Sequence, residues 1–101
     1  MIKIILLCAM GMSTSIFVEK MKKITKNNNL DIEISSASEF EIDNYIEDVD
    51  IVLLAPQVSY MEEEVRELCE LNGKKMSVIP MVIYGMINED GVLEYFLNLL
   101  K

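Results

Sequence analysis

Apolar residues fall into four short runs separated by amphipathic stretches. Ile2 to Leu7 is near-continuously apolar, interrupted only by Lys3, as a strand buried on both faces should be. From Ser13 to about Lys26 the pattern changes. Phe17, Met21 and Ile24, with Val18 beside them, repeat at helical spacing. Asn27-Asn28-Asn29 breaks that period as a loop. Leu30-Asp31-Ile32-Glu33-Ile34-Ser35 alternates strictly, which predicts a strand with one face more exposed, at the sheet edge.

Ser38 and Glu41 have the spacing of a capping box, so a short helix should follow to Tyr45 or Ile46. Asp50 to Ala55 is a second fully buried strand, stopped by Pro56. Ser59 and Glu62 suggest another capping box, with a helix behind it to about Leu71. Val65, Leu68 and Cys69 form its inner face, and Cys69 reads as a core residue. Asn72-Gly73 supplies the helix stop. Met76 to Ile79 is the fourth strand, ended by Pro80, and Met81 to Met86 reads as a loop or short turn. Asn88 can cap a last helix whose apolar face is Val92, Leu93, Phe96, Leu97 and Leu100.

Strand and helix alternate four times, which predicts an α/β fold with a parallel four-stranded sheet and helices on both faces. Right-handed crossovers and a central first strand give the order 2-1-3-4. The switch point lies between strands one and three. The loop from Cys8 to Ser15 and the loop from Pro56 to Tyr60 then face each other across it, where open parallel sheets bind ligands. At 101 residues the chain reads as one domain, residues 1–101.

Charge and cysteine count narrow the chemistry. A net charge of −8 argues against nucleic acid and against an anionic membrane surface as partners. Lys3, Lys20, Lys22, Lys23 and Lys26 lie in the first quarter, where Glu19 is the one acid. They fit a solvated helix face or a docking patch for an acidic protein. Cys8 and Cys69 are the only cysteines and histidine is absent. A Cys/His metal site and a histidine-based triad are excluded, and no cofactor is implied. Two cysteines make no disulfide scaffold, which points to the reducing cytoplasm. The apolar start is too short for a signal peptide and has no charged segment before it. No apolar segment approaches membrane-spanning length.

The chemistry-bearing stretch is Cys8-Ala9-Met10-Gly11-Met12-Ser13-Thr14-Ser15, which leads from a strand end into a helix start. A helix N-terminus leaves backbone N–H groups unpaired, carries partial positive charge and accepts a phosphate. It also favours a thiolate over a thiol. One segment therefore offers a nucleophile, Cys8, and a cradle made by the amides from Met10 to Ser15. Inert packing is the bland alternative for Cys8. The hydroxyls of Ser13, Thr14 and Ser15 are secondary donors or helix caps, and Gly11 permits close backbone approach. Gln57, Tyr60 and Tyr84 follow strands three and four and are candidates for the surrounding rim, or for ordinary packing and capping. Met10, Met12, Val58 and Met61 would also rim the site.

This loop resembles two families. The low-molecular-mass tyrosine phosphatases carry Cys-x5-Arg-Ser/Thr, but Thr14 stands where the arginine should, and no Asp-Pro pair supplies a general acid. The closer resemblance covers essentially the whole chain. It is to the enzyme IIB component, lactose/cellobiose class, of the bacterial phosphoenolpyruvate-dependent sugar phosphotransferase system. Cys8 to Ser15, Ala55-Pro56-Gln57-Val58-Ser59-Tyr60-Met61 and Tyr84-Gly85 carry it. The departure is Ala55, where many members have glycine.

That resemblance implies the same fold as the small phosphatases and a phosphotransferase role. Cys8 would take a phosphoryl group from a phosphohistidine on the IIA protein and hold it as phosphocysteine, with Ala9 to Ser15 as its phosphate-binding loop. It would then pass the group to cellobiose, lactose or a related β-glucoside or disaccharide imported by the membrane-embedded IIC protein. It implies a cytoplasmic protein, peripheral to the inner face of the membrane through IIC, and monomer is the default for transient docking. A small cysteine-dependent phosphatase and a non-catalytic anion-sensing domain are the alternatives.

Overall fold

The computed structural model describes residues 1–9, 12–85 and 89–100, with the backbone alone described at 12–15 and 89. The elements, in chain order, are β1 (Ile2–Cys8), α1 (Met12–Asn27), β2 (Ile32–Ser38), a 3-10 turn (Glu39–Glu41), α2 (Ile42–Tyr45), β3 (Ile51–Leu54), a second 3-10 segment (Pro56–Met61), α3 (Glu62–Leu71), β4 (Lys75–Val78), α4 (Met81–Tyr84) and α5 (Glu89–Leu99).

The sheet has four parallel strands in the order β2-β1-β3-β4, the topology expected from alternating strands and helices. β1 lies between β2 and β3. Ile4 pairs with Ile34 on one side and Ile51 on the other, and Cys8 pairs with Ser38. Ile4, Ile5, Leu6 and Leu7 are fully buried, as are Val52, Leu53 and Leu54 of β3. Continuous apolar runs therefore became the two central strands, where each such side chain contributes about 1.5–3 kcal/mol. β2 alternates buried Ile34 with exposed Glu33 and Ser35, as an edge strand does.

Right-handed crossovers put α1 on one face and α2 and α3 on the other. α5 returns to pack against α1. Phe17, Met21 and Ile24 of α1 and Val92 and Phe96 of α5 are buried in the core. Leu97 is exposed, so the apolar face of α5 is narrower than its sequence suggests.

Several ends follow their sequence signals. At Ser38 both halves of the capping box form: Phe40 N–H donates to the Ser38 hydroxyl, and Ser38 N–H donates to Glu41. Gly73 ends α3 in the left-handed region at φ +67°, and Lys74 N–H donates to the Cys69 carbonyl at 2.8 Å. The second proposed capping box does not form. Pro56 starts a 3-10 segment, Met61 stands at the α3 N-cap, and no side chain caps the helix there. Met81 to Tyr84, read as a loop or turn, makes one helical turn after Pro80. Asn88, the proposed cap of α5, lies outside the described residues.

Candidate functional site

All four strands are parallel, so their carboxyl ends open on one edge of the sheet, and β1 delivers Cys8 to it. The Cys8 side chain is 5% exposed and its thiol donates to the Ala37 carbonyl of β2 at 3.5 Å. Ala9, next in the chain, is exposed. α1 starts at Met12, four residues after the cysteine, and Met12 to Ser15 form its first turn. The first amides of that helix have no carbonyl partners within it. Met10 and Gly11 lie outside the described residues, as do the side chains of Met12, Ser13, Thr14 and Ser15.

β3 brings the second loop to the same edge. Ala55 N–H donates to the Leu7 carbonyl at 3.0 Å, which ties the start of the Pro56–Met61 segment to the end of β1. Gln57 and Tyr60 are exposed there. Val58 and Met61 are buried instead, so they support the loop from below and do not line a rim. The reason is local: in a 3-10 turn residues three apart share a face, and here that face is apolar.

Tyr84 comes from α4, beyond β4. Its ring stacks on Phe17 of α1, centroids 4.8 Å apart and planes inclined by 27°. It is half-buried and braces the helix that follows the Cys8 loop.

One residue at this edge gave no sequence signal. Glu39 directly follows Ser38, the register partner of Cys8. It is 6% exposed, while neighbouring Phe40 is 73% exposed. Tyr60 OH donates to Glu39 Oε1 at 3.4 Å, linking the segments after β2 and β3. Loss of hydration at the Tyr60 hydroxyl, then the Glu39 charge, raises the Tyr60 pKa above that of an ordinary tyrosine. An S-E-F-E string reads as polar-apolar-polar. The 3-10 turn at Glu39–Glu41 inverts that reading by carrying the carboxylate inward.

Cys8 and Cys69 are both free. Cys69 sits under α3 at 1% exposure, and burial raises its pKa while nearby Arg66 works in the opposite direction. Among the described residues no group of three or more His, Cys, Asp and Glu side chains could hold a metal ion.

Residues 3–95 match the family described as the lactose/cellobiose-specific IIB subunit of the phosphotransferase system. The chain belongs to that IIB family. It is 43% identical over 103 aligned positions to the cellobiose-specific EIIB component of Lactococcus lactis subsp. lactis, covering 97% of this chain and 95% of that protein. The galactose-specific EIIB component of Lactococcus lactis subsp. cremoris matches with the same identity and coverage. The oligo-beta-mannoside-specific EIIB component of Bacillus subtilis is 32% identical over 98 positions, again covering 97% and 95%.

Solved structures agree. The cellobiose-specific IIB protein of Borrelia burgdorferi superposes with a TM-score of 0.75 at 31% identity, over 97% of this chain and 90% of that one. The lactose-specific IIB domain of Streptococcus pneumoniae shares the fold, with a TM-score of 0.89 at 17% identity over 99% and 98%. This IIB protein is thus a component of a sugar phosphotransferase system, an enzyme of phosphoryl transfer with the small-phosphatase-like fold. IIB domains work with IIA and IIC partners. Among the described residues no helix is long and apolar enough to cross a membrane.

Proposed function

We propose that Cys8 carries the phosphoryl group. The observation behind this reading is its position: the thiol ends the central strand four residues before the N-terminus of α1. In the first step the thiol sulfur attacks phosphorus on the IIA phosphohistidine. The N–P bond breaks as the S–P bond forms, and the thiol's proton ends on the released imidazole. In the second step a sugar hydroxyl attacks, the O–P bond forms as the S–P bond breaks, and the hydroxyl's proton passes, directly or through solvent, to the departing Cys8 sulfur, which returns as the thiol.

The chemistry suits a carrier better than a hydrolase. Phosphoryl transfer depends mostly on positioning and charge stabilisation. Amides from Ala9 to Ser15 can hold the phosphoryl oxygens without an arginine. Thr14 stands where a phosphatase would place that arginine. With no arginine and no general acid in the loop, water attacks the phosphothiol slowly. Histidine leaves without a strong acid, so loading is unaffected.

The rim favours transient docking. Of the large exposed apolar side chains, Ile16, Phe40, Tyr60, Met81 and Val82 belong to segments that follow strand carboxyl ends, while Met1, Leu71 and Leu97 lie elsewhere. Such a surface fits a partner reaching Cys8, with Gln57, Tyr60 and Tyr84 around it. The partners of this reading are a IIA phosphocarrier and a membrane IIC permease, which places the chain in the cytoplasm as a monomer that visits the membrane. The sugar is a β-glucoside or related disaccharide. The named relatives differ in their sugar at similar sequence identity, so specificity rests mainly with IIC.

The test is to load the chain from phosphorylated IIA and then add vesicles bearing IIC with cellobiose or lactose. Sugar phosphate should form only with wild-type chain, and phosphate monoesters should be cleaved poorly. Rapid monoester turnover by wild type would contradict the carrier reading.

A further inference from the structure

A second feature of the carboxyl edge concerns how a partner is held. Between the turn after β2 and α3 runs a groove of about 300 Å³, lined by Glu39, Phe40, Asp43, Met61, Glu64 and Val65. Its acids outnumber its cations, since none of the lining residues is basic. Asp43 and Glu64 stand exposed on it. Glu39 is different. Its side chain is nine-tenths buried, its Oε1 accepts one long hydrogen bond, and its Oε2 is buried without a hydrogen-bond partner.

A buried carboxylate with an unpaired oxygen is costly. A guanidinium or ammonium group is the chemistry that would satisfy it, because such donors pair strongly with carboxylates in partly desolvated sites. The groove's remaining features suit the same occupant. Asp43 and Glu64 add negative potential, and the Phe40 ring stands at the lining, 73% exposed, as a surface for the aliphatic stem or the cation itself.

We propose that this groove receives an arginine or lysine side chain from a cytoplasmic loop of the IIC permease. The proposal rests on the phosphocarrier reading above. Cytoplasmic loops of membrane proteins carry an excess of Lys and Arg. A chain of net charge −8 is repelled by the anionic inner leaflet, so its attraction to a membrane-embedded partner has to be local. The groove supplies that attraction next to the reaction centre, since Glu39 follows the register partner of Cys8. The lysine-bearing helix α1 lies across the sheet from α2 and α3 and leaves the acidic side for the membrane partner.

The test is binding of the full chain to phosphatidylcholine proteoliposomes carrying the IIC permease that accepts its phosphoryl group. Empty phosphatidylcholine and phosphatidylglycerol vesicles run beside them, and loading of Cys8 by IIA is followed by intact mass. Glu39→Gln keeps the shape and removes the charge. The double variant Asp43→Asn with Glu64→Gln changes exposed positions only, so folding is not at issue there. The expected result is at least a roughly tenfold loss of permease affinity for Glu39→Gln, a smaller loss for the double variant, and weakening of wild-type binding by salt.

Wild type that loads and binds while Glu39→Gln binds equally well overturns the groove and leaves the carrier reading standing. So does a loss that falls equally on loading by IIA, or equal binding to empty phosphatidylglycerol vesicles. Wild type that cannot be loaded by phosphorylated IIA overturns the carrier reading, and the proposal with it.

Discussion

The Cys8 thiol donates to the Ala37 carbonyl of the neighbouring strand, 3.5 Å away, and so points toward backbone at the sheet's carboxyl edge. In the proposed carrier role, loading with a phosphoryl group would require the sulfur to leave that carbonyl. Exposed Ala9 adjoins it in the chain, whereas Cys69 is sealed beneath α3. Burial also raises the Cys69 pKa, which lowers its thiolate fraction. Iodoacetamide should therefore label Cys8 first in the native protein and Cys69 only in denaturant. Peptide mass spectrometry after timed labelling checks the order, and first labelling at Cys69 would contradict it.

The Phe17–Tyr84 stack couples α4 to the helix that follows the Cys8 loop. Aromatic pairs add about 0.5–1.5 kcal/mol beyond the area they bury. Tyr84→Ala should destabilise the fold by about 2 kcal/mol, read from a urea midpoint. Tyr84→Phe keeps the ring pair and isolates the hydroxyl, so it should cost clearly less. Equal losses would show that the hydroxyl matters more than the stack.

Gly73 closes α3 at φ +67°, and a Cβ built there meets nothing within 4 Å. Space is available, so the cost of a side chain is conformational alone. Gly73→Ala should lower stability by about 1 kcal/mol, measured by denaturant unfolding with an unchanged m-value. Gly73→Asn should cost less, because asparagine tolerates the left-handed region.

Alkaline pH should loosen the fold. Burial raises Cys69 above its reference value of 9.0, and burial raises Tyr95 above 10.0 despite the 2.9 Å hydrogen bond it shares with Ser77. Both groups are neutral when protonated, and the folded state holds their protons more tightly than the unfolded chain. Their contribution is complete below the unfolded values and is lost as pH rises toward the folded ones. The urea midpoint should fall above about pH 9. In Cys69→Ala that fall should begin later, leaving the part due to the tyrosines Tyr95 and Tyr60. A midpoint that rises with pH there would reverse the sign.

Much of the fold is legible in the sequence because the central strands are buried on both faces. Continuous runs such as Ile51-Val52-Leu53-Leu54 admit no other comfortable place, and strand order follows from crossover handedness. Asn72-Gly73 and Ser38–Glu41 are visible because their spacing encodes backbone geometry directly.

The short 3-10 segments are where sequence reading fails. They follow neither the strand period nor the helix period. Glu39 turns inward while Phe40 turns out, and Val58 and Met61 leave the rim for the core. Pro56 holds the chain in a 3-10 path, with Val58 at φ −114° breaking the helical run, so Ser59 never reaches the N-cap of α3. The place of Cys8 is readable for a different reason: an apolar run ends on it and helical spacing begins soon after, which needs no side-chain packing to be seen.

The most direct measurement is the intact mass of the chain after mixing with phosphoenolpyruvate, the general phosphocarriers and a matching IIA protein. Cys8→Ser is treated in parallel, and the IIA is confirmed to be phosphorylated. A gain of one phosphoryl group is expected in wild type and no stable gain in Cys8→Ser. No gain in wild type, or an equal gain in both, would contradict the assignment of Cys8 as the phosphoryl carrier.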